Sequence, residues 1–561
     1  MRMRSVVVVA IAVFALLGVL SPPAFAQAPA PKVTINGLID TVTWATSNYS
    51  LQDRDFSRAG DREWLSRNRG VFTIWGEVGK VKGAIALEFD INWGQTDTPE
   101  SPTAKAGPAR IGDTNCDFGQ NNDVNFCPEV KWLFVEFPLP WIPMPTTARL
   151  GGQSDRWTYK PNVVTYTDSA GVALESTWSP VLKSRVAFFQ YNERSVGVTG
   201  SLGNRTGFLR GDAWAIQANV EVSPFKGLDI MPLYVYWQQG PIGTQAGSGS
   251  STWEPGRGGV AQNNTPNTIV TGAAQGTANP FLNLTTPCAA FHCTENRHYL
   301  GVDARFKAGV AFFNPTFIYQ WGQRDIVNME SGALVRKQKE HAFLVDLEGG
   351  LTLGPLTLPV IAIYSPGNKS TDNIGNRAGS VEKVNYYQTL YQDTGYGSGR
   401  ITEIFAPNSV DYIRRFASGT GIQQGATVGY DRYGRFDLGV RPKYALTPSV
   451  TIGGLFATHW TAEKVDTNGA FEATRGIIPS TNPRGRRHLG EEIAVFVTYA
   501  FSPGITFDWT AGILFPGSAL ERCRNEETAA TATAVAAAGC PGGRSDPHEA
   551  YWTGARIRYQ F

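Results

Sequence analysis

Along most of the chain, apolar and polar residues alternate with a period of two. In AIALEFDINW (84–93), Ile85, Leu87, Phe89, Ile91 and Trp93 stand against Ala84, Ala86, Glu88, Asp90 and Asn92. RFDLGVRPKY (435–444) sets Phe436, Leu438, Val440 and Tyr444 against Arg435, Asp437, Arg441 and Lys443. In EEIAVFVTYAF (491–501), Ile493, Val495, Val497, Tyr499 and Phe501 share one side. Successive side chains of an extended strand point to opposite faces, so the pattern predicts strands with one apolar and one polar face. The final residues, ARIRYQF, keep the alternation, and a strand is expected to run to Phe561.

Such strands suit a soluble sandwich, with its apolar face as core, or a membrane barrel, with its apolar face toward lipid and its polar face toward water. Loop lengths separate the two. Short turns are predicted at 79–82, 138–145, 179–182, 223–227, 307–309, 353–355, 446–449 and 502–504. Long loops are predicted at about 45–66, 94–128, 154–168, 194–211, 239–296, 323–336, 366–429, 463–487 and 516–547. The strict alternation of short and long joins eighteen strands, with both ends on the short-turn side, as bacterial barrels require. The predicted fold is therefore all-β, a transmembrane antiparallel barrel of about 18 strands, with 16 as the alternative. A closed barrel must pair its last strand with its first, here VTINGLIDTVTW (33–44), because an open edge in lipid leaves backbone groups unsatisfied. Phe561 then joins Tyr559, Tyr499, Phe501 and Tyr444 in an aromatic girdle. Pro232, Pro315, Pro359 and Pro442 sit inside predicted strands, where each removes a ladder donor. All four lie near short turns, at one rim.

The N-terminus changes the compartment. Arg2 and Arg4 precede an apolar run from Val6 to Leu20, then Pro22, Pro23 and Ala24-Phe25-Ala26. This is the pattern of a secretory signal peptide, with residues 1–26 cleaved and 27–561 forming a single outer-membrane barrel domain. No later stretch is long and apolar enough for a helical span. Removing Arg2 and Arg4 from 50 basic residues balances the 48 acidic ones, so nothing points to nucleic acid. The 61 glycines and 12% aromatics suit tight turns and interfacial girdles. Six cysteines form three local pairs, Cys116/Cys127, Cys288/Cys293 and Cys523/Cys540, all in predicted long loops. In an oxidising compartment they are expected to be disulfides. None has metal-site spacing, CAAFHC is not a haem attachment, and no metal or cofactor is expected.

Short stretches carry a resemblance. A terminal strand ending on Phe is typical of bacterial outer-membrane proteins, which implies recognition by the barrel-insertion machinery. VTINGLID resembles the first strand of general porins, and ARLGGQ (148–153) resembles the porin strand leading into the third loop. HLGEEIAVFVTYAFSPGITFDWTAGILFPG (488–517) is similar to the end of the alginate-export family of eighteen-stranded barrels. The porin resemblance implies an outer-membrane channel for ions and small hydrophilic solutes, and a homotrimer. The alginate-export resemblance implies a monomer that moves an anionic polysaccharide. A third reading is a loop-plugged barrel acting as adhesin or scaffold.

Channel chemistry resides in the lumen and in whichever loop folds inward. The polar parity offers as basic lining Arg67, Arg69, Arg149, Arg305, Arg435, Arg441, Lys443, Arg556 and Arg558. The acidic lining is Glu88, Asp90, Asp303, Asp346, Glu348, Asp437 and Asp508. Arg556, Arg558, Arg67 and Arg69 come together as one positive wall if the last strand closes on the first. In general porins the third loop constricts the pore, which implies Asp155, Arg156, Lys160 and Asp168 as candidates. The loops 239–296 and 366–429 are equally able to plug the channel. The second carries SVEKVNYYQTLYQDTGYGSGRITEIF (380–405), with aromatics and charges suited to a ligand. An enzyme is not expected: there is no G-x-S-x-G and no H-E-x-x-H. His459 and His488 read as a pair at the loop rim.

Overall fold

The computed structural model describes residues 29–48, 62–92, 129–192, 213–242, 291–328, 334–369, 383–390, 396–397, 399–404, 433–465, 486–520, 522–523, 544–545 and 548–561. Among these residues the barrel strands are β1 (Lys32–Ser47), β2 (Arg62–Val78), β3 (Val81–Asn92), β4 (Glu129–Pro138), β5 (Thr146–Ser154) and β6 (Asp168–Ser179). Next come β7 (Leu182–Asn192), β8 (Ala213–Phe225), β9 (Leu228–Ile242), β10 (Phe291–Ala308), β11 (Ala311–Asn328) and β12 (Leu334–Leu353). The circuit continues with β13 (Leu356–Ser365), β14 (Arg435–Val440, resuming as Lys443–Ala445), β15 (Val450–Val465), β16 (Arg486–Ser502), β17 (Ile505–Pro516) and β18 (Ala550–Gln560). Each pairs antiparallel with its sequence neighbour, and β18 pairs with β1, so the sheet of 18 strands is closed. The seam runs in register from Leu38↔Gln560 to Ser47↔Tyr551. Phe561 completes it: its N–H donates to the Gly37 carbonyl at 3.1 Å, and Gly37 returns a bond at 3.0 Å.

The period-two pattern resolves as expected. Ile35, Ile39, Ile74, Ile85, Leu133, Val186, Phe317, Leu347, Phe436, Ile493 and Ile557 are exposed on the outer face. Alternate residues point into the lumen. Tyr444, Tyr499, Phe501, Tyr559 and Phe561 are exposed at the short-turn rim, with Tyr559 and Phe561 rings 5.4 Å apart.

The strand prolines have a simple account. Opposite Pro232 the β8–β9 ladder lacks bridges between Asn219↔Leu233 and Val222↔Ile230. Opposite Pro315 the β10–β11 ladder skips from Asp303↔Thr316 to Phe306↔Phe313. Pro359 and Pro442 share one gap between β13 and β14, bridged by Arg441 N–H to the Pro359 carbonyl at 3.1 Å. The missing donor costs a bridge, while the register holds across the gap at Pro232 and Pro315.

One expectation is corrected: Cys293 lies on β10, not in a loop, because β10 begins earlier than predicted. Cys523 lies in a two-residue ladder, Arg522–Cys523 with Arg544–Ser545. Cys116, Cys127, Cys288 and Cys540, the three pairings and the 1–26 leader lie outside the described residues.

Candidate functional site

Two segments fold into the lumen and meet there. The first is 155–167, between β5 and β6. Its base is pinned by Asp155, whose carboxylate accepts from Thr165 Oγ1 at 2.5 Å, Thr167 N–H at 2.8 Å and Tyr191 Oη at 2.8 Å. Burial pushes the Asp155 carboxyl up to about 6, against the pull of those three donors. Trp157 packs edge-on to Phe189 at 5.7 Å and lies under the Arg185 guanidinium at 3.8 Å. At the tip, Asn162 takes a left-handed turn (φ 59°). Lys160 then crosses to the far wall. Its backbone N–H donates to Asp303 at 3.1 Å, and its Nζ donates to the Asn314 carbonyl at 2.7 Å and to Asp346 Oδ1 at 2.8 Å. Burial lowers the Lys160 ammonium below its usual range, and Asp346 opposes the shift.

The second segment is the described part of the loop after β13, 383–390, 396–397 and 399–404. Tyr387 Oη donates to the Val163 carbonyl at 2.8 Å, and Leu390 N–H to the Val164 carbonyl at 2.7 Å, tying the two segments together. Gln388 accepts from Arg297 Nη2 at 2.5 Å and donates its N–H to Gln320 Oε1 at 2.8 Å. Arg400 makes a two-pronged contact with Asp346 (2.9 and 2.8 Å) and reaches Glu348 at 3.2 Å. Tyr396 also donates to Asp346. Glu492 on β16 seats the end of the segment, accepting from Thr402 Oγ1 (2.7 Å), Glu403 N–H (2.6 Å) and Ile404 N–H (3.1 Å). Glu403 is then met by Arg441 at 2.5 Å. The turn that permits this needs Gly397, at φ +81°; a Cβ there would sit 2.9 Å from Ile401 and 3.2 Å from Arg435.

These segments cover β7 to β16. Behind them lie buried charges that pair on the wall itself. Arg297 donates to Glu340 at 3.0 Å, Arg324 to Glu295 at 2.9 Å, and His459 sits between Asp437 (3.0 Å) and Glu492 (3.5 Å). All of these side chains are essentially inaccessible to water.

The remaining wall, β17, β18 and β1 to β6, is different. Arg556 pairs with Asp508 at 2.7 Å, Arg558 with Asp40, and Arg149 with Glu136 at 2.6 Å. Arg69 and Lys131 both hold Glu88, Lys131 at 2.8 Å, and Lys131 also reaches Asp168 at 3.2 Å. The cations here stay 12–30% exposed, while Asp40 and Glu88 beneath them are 5% and 1% exposed. Over Asp40 and Glu88 the long arginine and lysine arms are therefore the more exposed partners, while Arg556 and Asp508 are equally exposed at 18%.

The lining candidates stand on the inner-face parity of their strands; the side chain of Asp90 lies outside those described. Facing water is a narrower property. Arg67, Arg69, Arg149, Arg556, Arg558 and Asp508 lie on the open wall. Asp303, Asp346, Arg435, Asp437 and Arg441 are sealed beneath the inward segments, and Arg305 stacks on Tyr159 at 4.0 Å. Glu348 and Lys443 sit toward the turn-side mouth. The four arginines do adjoin across β1, but as a ladder interleaved with Asp40, Asp508 and Glu88 rather than as an uninterrupted positive wall. Of the loop candidates, Asp155 and Lys160 are structural anchors. Arg156 lies over Tyr166 at 5.3 Å, and Asp168 opens β6, accepting from Trp132 Nε1 at 2.8 Å. His459 and His488 are not a pair: His459 is buried inside, and His488 stacks near the outward Trp460 at 5.5 Å.

Asp40, Glu136, Arg185, Arg297, Arg324, Glu340 and Glu492 were missed, although strand parity carries each of them. Lys131 has no such signal. A bulge between Ala86 and Leu87 on the facing strand's register turns Lys131 inward together with Trp132.

No protein-family model matches the sequence, and no curated protein matches it. Several solved structures are similar to it. A crystal structure of Acinetobacter baumannii OccAB1 shares 11% identity, over 96% of this chain and 100% of that one, with a TM-score of 0.44. Pseudomonas aeruginosa OpdK, crystallised with vanillate, shares 8% identity over 94% and 98%, with a TM-score of 0.45. A BenF-like porin from Pseudomonas fluorescens shares 9% over 94% and 98%, with a TM-score of 0.43. The barrel assignment stands on this chain's own strand pairing.

Proposed function

We propose that this protein is an outer-membrane porin, an aqueous channel for passive diffusion of ions and small hydrophilic solutes, and not an enzyme. One observation carries the reading. A closed barrel with an apolar outer band encloses an inner wall, β17 to β6, whose charged side chains remain partly open to water. A barrel that served only as a scaffold has no need of a hydrated charged wall. The inward segments narrow the lumen from the opposite side, which favours small solutes over a polymer. The export signal and the terminal strand, as a handle for the insertion machinery, complete the reading of an outer-membrane protein. Arg556 and Arg558 on β18 with Arg67 and Arg69 on β2, adjoining across β1, support a second reading, a track for an anionic oligosaccharide or polysaccharide. Single-channel conductance and reversal potential in a planar bilayer under a salt gradient decide among them. Stepwise conductance with weak anion preference is expected. Strong anion preference would favour the polyanion track, and silence from folded protein would sink the channel.

A further inference from the structure

The outer face of β9 to β12 departs from a plain apolar belt. Tyr236, His298, Trp321 and His341 form one continuous row across four strands, since each is the register partner of the next. The His298 and Trp321 rings stack at 5.0 Å and 5°. Tyr234 and Tyr319, one row below, engage the imidazole Nδ1 of His298 (2.8 Å) and of His341 (3.2 Å). This row caps the apolar band. From Phe313 to Trp321 the strand climbs roughly 20 Å at the usual barrel tilt, which brings the row to the upper membrane interface.

Directly above it stand three exposed lysines. Lys339 lies two residues beyond His341 on β12, and Lys337 two beyond that, on the same outward face. Lys383 is brought beside Lys339 by a short parallel bridge, Lys339↔Lys383 and Glu340↔Val384. Asn368 fixes that bridge, donating to the Lys383 carbonyl at 3.1 Å and accepting from Asn385 N–H at 2.7 Å. Among the described residues none of the three ammonium groups makes an ion pair. Asp325, opposite Lys337, is engaged by Gln323 at 2.8 Å. The segment whose inner residues occupy the lumen thus adds a third cation to the outer surface.

Three cations within about one headgroup's width, above an aromatic row and a lipid-facing apolar surface, match a ligand with phosphates at one end and acyl chains at the other. We propose that this face binds a phosphorylated glycolipid of the outer leaflet, its phosphates on Lys337, Lys339 and Lys383 and its chains along Leu300, Phe317 and Leu347. The inference rests on the outer-membrane reading above but not on conduction.

The test uses the full-length protein in detergent and bisphosphorylated lipid A as probe, with binding followed by native mass spectrometry and by the shift in thermal unfolding. Each lysine near a lipid phosphate contributes about fivefold, so the K337Q/K339Q/K383Q variant is expected to bind on the order of a hundredfold more weakly. Dephosphorylated lipid A should bind wild type no better than the variant binds the intact lipid. Equal binding by the variant, or by the dephosphorylated lipid, overturns the proposal. So does a wild-type oligomer that the triple variant dissociates without lipid, since the face would then belong to a second copy of the chain. Conductance of both proteins in a zwitterionic bilayer keeps the two readings apart. A conducting channel that takes up no lipid A overturns this inference alone. A silent one that binds lipid A through the lysines upholds it and counts against the channel.

Discussion

The two halves of the lumen wall are built from the same strand chemistry and end in opposite physical states. On β7 to β16, the paired charges of Arg297, Arg324, Glu295, Glu340, Asp437 and His459 are sealed under the inward segments. On β17, β18 and β1 to β6, similar residues form similar pairs, but the cationic side chains stay 12–30% exposed. The covered half stakes more energy on each pair. Removing one partner of a buried ion pair strands the other and costs about 3–5 kcal/mol, whereas an exposed pair contributes about 1 kcal/mol or less. The lesson is that a lining charge is assigned by what lies over it, not by its parity. In the channel proposed above, the covered half would be the scaffold of the inward segments and the open half the wall that meets the solute.

The largest expected effect breaks that division. Asp346→Asn removes the shared counter-charge of Lys160 and Arg400, which hold the tips of both inward segments. The loss of about 3–5 kcal/mol should unseat them. Single-channel conductance should rise severalfold, and the 155–167 segment should become open to protease. Unchanged conductance would mean that the segments do not set the bore.

Next in size is the complementary change on the open half. Replacing Arg556 and Arg558 by Gln should lower thermal stability by about 1 kcal/mol or less at the partly exposed Arg556–Asp508 pair and by more at Arg558, which faces the buried Asp40, but by less than the Asp346 change. It should shift the reversal potential toward cations, because Asp508 and Asp40 then keep their charge without their counter-charge. A conductance jump like that of the Asp346 variant would erase the distinction between the halves.

A smaller effect comes from Asp155, which pins the base of the 155–167 segment. Asp155 has a folded-state carboxyl near 6, above its ordinary 3.8, so its contribution to seating the segment is fully present below about pH 4 and fades as pH rises through about 6. Conductance noise, or protease cleavage within 155–167, should therefore increase from pH 4 to pH 7 in the wild type and stay flat in Asp155→Asn. The opposite trend in the wild type would remove Asp155 as the source.

The sequence by itself determined the barrel. Its period-two strands, its alternating loop lengths and the terminal strand that pairs with VTINGLIDTVTW all follow from local pattern plus the demand that no backbone group be left unpaired in lipid. Within an unbulged strand it also carries the parity that sorts charges from the apolar face, because parity is a property of each strand alone. Tertiary structure decided which of those charges meet water. Nothing in SDRWTYKPNVVTYT or in the stretch around Tyr396 and Arg400 has a period. Their inward course depends on acceptors, Asp303, Asp346 and Glu492, contributed by strands more than a hundred residues from Lys160 and about fifty to ninety from Arg400 and Thr402. The bulge that turns Lys131 inward and the bridge that sets Lys383 beside Lys339 likewise exist only when distant strands adjoin. A strand's face is encoded within a few residues, whereas burial of a charge depends on the whole path of the chain.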